Sequence, residues 1–82
     1  MTREQVYQRV VAIIQEEKGD DFQVQAESSL ADNIAADSVE IMEFVLTLED
    51  EFGVDIPDAA IERFETLSDI VDFIYEELQK RS

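Results

Sequence analysis

Asp37-Ser38-Val39-Glu40-Ile41-Met42-Glu43-Phe44-Val45-Leu46-Thr47-Leu48-Glu49-Asp50-Glu51-Phe52 contains neither Gly nor Pro and is followed by Gly53. Its opening reads as an acidic helix start, with Asp37 as N-cap and Glu40 three residues on, which makes Ser38 the first helical residue. At roughly 100° per residue, the apolar positions fall on two faces rather than one. Ile41, Val45, Leu48 and Phe52, flanked by Phe44, share a face that can pack on a core. Val39, Met42 and Leu46 lie on another, framed by Glu43, Glu49 and Asp50. A helix in a chain this small buries one side easily, so the second strip is expected to stay exposed and meet partners. The competing reading is that a small bundle wraps the helix and takes those residues into its core.

Working outward, Thr2-Arg3-Glu4-Gln5 is a capping-box pattern, and Val6, Val10, Ile13 and Ile14 recur at helical spacing through Lys18, with Gly19 as the stop. From Asp20 to Ala36 the period is lost, and this stretch reads as a long ordered loop with Leu30 and Ile34 tucked into the core. On the other side of the central helix, Pro57 prevents continuation and Asp58 can cap a short helix from Ala59 to Phe64, with Ile61 and Phe64 facing in. Thr66 then caps a last helix whose core stripe is Leu67, Ile70, Val71, Ile74 and Leu78, with Lys80 and Arg81 at its C-terminus. The expected architecture is all-α: a four-helix bundle with three longer helices, one short helix and a long first loop, in a single domain over residues 1–82.

Composition removes whole classes of chemistry. The 82 residues contain no Cys and no His, which excludes a disulfide framework, thiolate and histidine metal sites, a Ser-His triad and a histidine general base. Hydrophobic residues make up 45%, enough to fold and too many for a disordered acidic tail. No apolar run approaches the roughly 20 residues that span a bilayer, and the N-terminus lacks a signal peptide's apolar segment, so a soluble cytoplasmic monomer without membrane insertion is the expectation. Asp50 to Asp58 fails as a calcium loop: Phe52 stands at the third position, Val54 at the fifth and Asp55 where the turn glycine belongs. No base stands ready to activate Ser38, so a chain acting alone is not expected to be an enzyme.

The net charge is −15, and it is unevenly spread. Between Gly19 and Glu62 there is no Lys or Arg, while Asp and Glu recur throughout. Such a field repels nucleic acid and anionic membranes and favours encounter with proteins bearing basic patches; the plainer alternative is a solvated surface that serves solubility. Screening over about 8 Å at physiological salt means the field speeds and orients docking more than it tightens it.

Ala36-Asp37-Ser38-Val39-Glu40, continued by Leu48-Glu49-Asp50-Glu51-Phe52-Gly53-Val54-Asp55-Ile56-Pro57-Asp58, resembles the acyl carrier proteins of dissociated, type II fatty-acid synthesis, over nearly the whole chain. The resemblance implies a non-catalytic carrier in which Ser38 receives a 4'-phosphopantetheine arm from coenzyme A, whose thiol carries acyl groups as thioesters. A phosphodiester at a helix's first turn would meet free N–H groups and the positive end of the dipole. Without that context, Ser38 is an ordinary serine at a helix start.

By matching position, partner docking falls on Asp37, Glu40, Glu43, Glu49, Asp50, Asp58 and Glu62, with Val39, Met42 and Leu46 as the apolar strip. An acyl groove falls on Phe44, Leu48, Ile56, Ala60, Ile61 and Phe64, whose first duty is core packing. The implied partners are phosphopantetheinyl transferase (the holo-carrier synthase) and the acyl transferases, ketosynthases, reductases and dehydratases of fatty-acid synthesis. No metal is implied.

Two positions depart from the family's usual pattern: Val39 replaces the Leu after the serine, and Ala35 replaces the Gly three residues before it. A β-branched Val39 shortens the apolar contact beside the arm, and Ala35 restricts the loop backbone. Competing readings are a carrier for another cargo, such as polyketide intermediates or D-alanine, and an unmodified acidic adaptor that binds a basic helix through Val39, Met42 and Leu46.

Overall fold

Helix α1 (Arg3–Lys18) forms because both ends are satisfied locally. The Thr2 hydroxyl accepts the Gln5 N–H at 3.2 Å and the Gln5 side chain accepts the Thr2 N–H at 2.9 Å, closing the expected capping box. At the other end Gly19 takes φ 108°, a conformation that L side chains rarely adopt, and returns its N–H to the Gln15 carbonyl at 2.8 Å. These details come from a computed structural model that describes residues 2–19, 21–30 and 38–80, with only the backbone of residue 38. The readings placed on Ile34, Ala35, Asp37 and Arg81 lie outside the described residues.

Among the described residues three further helices follow: α2 (Ser38–Phe52), α3 (Asp58–Ile61) and α4 (Leu67–Lys80). The architecture is therefore all-α, with three substantial helices and one short one, and the described part of the first connection is a long loop. Helix α1 packs against α4, burying Val6, Val10, Ile13 and Ile14 against Leu67, Ile70, Val71 and Ile74. Burial of each such side chain stabilises the fold by about 1.5–3 kcal/mol relative to exposure. Arg3 staples the same pair of helices, donating to Asp72 at 2.6 Å and to Ser68 at 3.0 Å. Phe44, Val45, Leu48 and Phe52 complete the core from α2, while Ile41 and Leu78 are partly buried at its margin. At the end of α4, Lys80 donates to Glu77 at 2.9 Å; that hydrogen bond, and the carboxylate charge behind it, raises the Lys80 ammonium above its ordinary value.

The described part of the first loop, residues 21–30, is tied to the start of α4 by backbone hydrogen bonds. Leu30 is buried as expected, and its N–H donates to the Glu65 carbonyl at 3.0 Å. Leu67 and Ser68 in turn donate to the carbonyls of Ser28 and Ala26, at 3.1 and 2.8 Å. An isolated antiparallel bridge between Ser29 and Thr66 thus sews the loop to the start of α4.

One capping expectation is corrected. Asp58 does not cap α3; it is the first helical residue, and Pro57 holds the N-cap position, extended at φ −71° and ψ 157°, with no side-chain cap bond. The Pro57 carbonyl accepts the N–H groups of Ala60 and Ile61 at 2.9 and 3.1 Å, so a residue with fixed φ starts the turn through its backbone alone. The helix is also shorter than expected, ending at Ile61. Helix α4 begins one residue after Thr66, and from inside its first turn the Asp69 carboxylate accepts the N–H groups of Glu65 and Thr66 at 2.9 and 3.1 Å.

Candidate functional site

Helix α2 carries the candidate site, and its two faces are separated as the angular spacing predicts. The inward residues Phe44, Val45, Leu48 and Phe52 are buried, whereas Val39 is 65% exposed, Met42 43% and Leu46 60%. An exposed apolar strip of this kind, beginning one residue after the helix start, can meet another apolar surface. The expectation that the bundle absorbs these three residues is not met.

The acidic residues framing the strip are not equivalent. Glu40, in the first turn, is paired with Lys18 from the end of α1 at 3.5 Å. Glu49 is half-buried and accepts the Ile56 backbone N–H at 2.9 Å. Glu51 is paired with Arg9 of α1. Among the described residues, Glu43 and Asp50 have no cation within pairing distance, and both are exposed. Asp58 and Glu62 are exposed at the two ends of α3, with the Glu62 N–H bonded to the Asp58 carbonyl at 3.0 Å. Asp37 lies outside the described residues.

Ser38 is the first residue of α2. The amides of a helix's first turn have no intrahelical acceptor and stand at the positive end of the dipole. Lys18 adds a cation to that turn and offsets the Glu40 carboxylate there. Free donors together with a partly neutralised acid suit a phosphodiester attached at residue 38. The described residues provide no His or Cys.

The six groove candidates are divided by the fold. Phe44, Leu48 and Ile56 are core residues, and Ala60, Ile61 and Phe64 are partly buried against them. Ala60 and Phe64 also line a surface pocket of about 260 Å³ with Arg63, Asp69, Asp72, Phe73 and Glu76. Phe64 meets Phe73 edge-on there, with ring centroids 5.8 Å apart and planes at 70°. Phe73 is a pocket residue that sequence reasoning missed; its one signal is an aromatic standing off the core stripe of α4. Among the described residues, no group of three or more acidic side chains converges to hold a metal ion, and no helix is long and apolar enough to cross a membrane.

Residues 8–74 match the model of the phosphopantetheine attachment site family. The chain is 40% identical over 78 residues to the acyl carrier protein of Thermotoga maritima, covering 94% of this chain and 96% of that one. It is 39% identical over 74 residues to that of Myxococcus xanthus, covering 89% and 94%. Among solved structures, the acyl carrier protein of Enterococcus faecalis superposes with a TM-score of 0.69 at 42% identity, over 94% of this chain and 99% of that one. A mitochondrial acyl carrier protein of Toxoplasma superposes with a TM-score of 0.81 at 28% identity, over 93% and 90%.

Proposed function

This chain belongs to the acyl carrier protein family of non-catalytic carriers with a phosphopantetheine attachment site, and from that premise we propose that Ser38 is the attachment residue and α2 the docking helix. On this reading residues 1–82 act as one cytoplasmic, monomeric carrier domain for the acyl chains of fatty-acid synthesis. The observation that supports it best is positional: Ser38 opens α2, and the exposed apolar residues Val39, Met42 and Leu46 follow on the same helix.

In the loading step the Ser38 Oγ forms a bond to the phosphorus of coenzyme A that bears the pantetheine arm. The P–O bond to the nucleotide portion breaks, and the hydroxyl proton passes to a base on the transferase. Once attached, the arm supplies a thiol for thioesters, which a chain without cysteine cannot provide by itself. The first turn of α2 would hold the phosphodiester, since its unsatisfied amides and the helix dipole favour an anion there.

The same helix presents the acyl group to partner enzymes. Asp37, Glu40, Glu43, Glu49, Asp50, Asp58 and Glu62 steer basic patches, and Val39, Met42 and Leu46 give them an apolar seat. The partners are the phosphopantetheinyl transferase and the acyl transferases, ketosynthases, reductases and dehydratases of fatty-acid synthesis. Contact through exposed charge is salt-sensitive and short-lived, which suits repeated exchange between enzymes. Between transfers Phe44, Leu48, Ile56, Ala60, Ile61 and Phe64 part to admit the acyl chain. The test is intact mass after incubation with coenzyme A, magnesium and a broad-specificity phosphopantetheinyl transferase. A gain of one phosphopantetheine on the parent and none on Ser38→Ala is expected; no gain on a folded parent would overturn the proposal.

A further inference from the structure

We infer that Lys18 is an intramolecular competitor for the docking face, holding Glu40 against basic partners and shifting their approach along α2 toward Glu43 and Asp50. The inference rests on the docking role proposed for α2. Lys18 is the last residue of α1, and after it the sequence has no Lys or Arg until Arg63. Its ammonium lies 3.5 Å from the Glu40 carboxylate, in the first turn of α2. Glu43, one turn further on, and Asp50 have no such cation among the described residues. A partner's Lys or Arg that approaches the start of α2 therefore meets an ammonium already in place. It must displace Lys18 or be repelled by it, whereas the same side chain meets an uncompensated carboxylate at Glu43.

The pair is open to exchange. The Lys18 and Glu40 side chains are 34% and 45% exposed, and an ion pair this accessible contributes little to stability, so displacing Lys18 costs the fold almost nothing. The gain from removing the competitor is correspondingly modest, about two- to fivefold in affinity at low salt. Lys18 thereby biases where on the helix a partner sits without changing what is presented there, which makes it a positioning residue for docking.

The experiment measures binding of the phosphopantetheinyl transferase to the full chain in a Ser38→Ala background, where no arm can be attached, by calorimetry at low and high salt. Lys18→Gln is expected to tighten binding two- to fivefold at low salt. That gain should vanish when combined with Glu40→Gln and shrink at high salt. Lys80→Gln, which removes the same charge from the far end of α4, should tighten binding less, because its ammonium is paired with Glu77 on its own helix. Unchanged or weaker binding by Lys18→Gln overturns the inference, as does an equal gain from Lys80→Gln or a gain that survives Glu40→Gln. Glu43→Lys in the same assay separates the two levels: if it weakens binding while Lys18→Gln does nothing, the competitor role fails and the docking helix stands. If Glu43→Lys is also silent, the docking proposal fails with it.

Discussion

Glu49, near the end of α2, accepts the backbone N–H of Ile56 at 2.9 Å, so a side chain on the helix holds the connection that leaves it. The backbone of the same residue takes part, because the Glu49 carbonyl accepts the Gly53 N–H at 2.8 Å, and Gly53 reverses the chain at φ 66°. Together these bonds fold Val54 and Ile56 back into the core. An acidic residue assigned to docking thus has a first duty inside the molecule.

Removing that carboxylate leaves the part-buried Ile56 N–H without its acceptor. Glu49→Ala is expected to cost about 1–3 kcal/mol, and in a domain of this size each kcal/mol lowers Tm by about 4–8 °C. Glu49→Gln keeps an oxygen acceptor and should recover most of the loss. Thermal unfolding followed by circular dichroism checks both; an Ala variant that melts with the parent would show that the bond contributes nothing.

Leu46 and Leu48 are two positions apart on one helix and differ in almost everything else, at 60% and 0% exposure. Leu48→Ala opens a cavity in the core and is expected to cost about 2–5 kcal/mol. Leu46→Ala removes an isopropyl group that is already mostly in water and should stay within about 0.5 kcal/mol of the parent. Urea titrations of the two variants give the comparison. A large loss at Leu46 would mean that the strip is structural and would remove it as a docking surface.

The charge distribution bears on stability as well. With a net charge of −15, carboxylates outnumber the cations that could pair with them, and the compact state carries their mutual repulsion. Added salt should therefore raise Tm as the screening length falls toward about 8 Å. Among the described residues no acidic group is arranged to chelate a metal, so magnesium should match sodium chloride at equal ionic strength. A magnesium effect far above that line would reveal a specific cation site and refute the screening account.

What the sequence made legible was whatever depends on spacing along one element. The capping box at Thr2, the helix stop at Gly19 and the two faces of α2 are local patterns, and each is found as read. The stitching of the first loop to α4 was not legible. It runs through the carbonyls of Ala26, Ser28 and Glu65, and a backbone acceptor has no side-chain signature. The same limit explains α3, which starts on the Pro57 carbonyl rather than the Asp58 side chain. In the candidate site, angular position told which apolar residues of α2 face water. It could not tell which acids are engaged, because Lys18 and Arg9 arrive at Glu40 and Glu51 from α1 by tertiary packing.

That division of the acids yields a prediction about docking itself. If basic partners read α2 by charge, the carboxylates they feel most are the exposed ones with no cation beside them among the described residues, Glu43 and Asp50. Glu43→Lys and Asp50→Lys are each expected to lower kcat/KM for transfer by a partner enzyme about three- to tenfold at low salt, with most of the loss disappearing at high salt. Glu51 is a control of the same charge on the same helix, already paired with Arg9. Glu51→Lys places two cations together between α1 and α2, so its cost should register mainly in Tm, with transfer little changed once the protein is folded. Partner kinetics at two salt concentrations, alongside melting curves, separate the effects. Equal losses of transfer at all three positions would show that partners sense the net charge of the helix and not the arrangement of its unpaired acids.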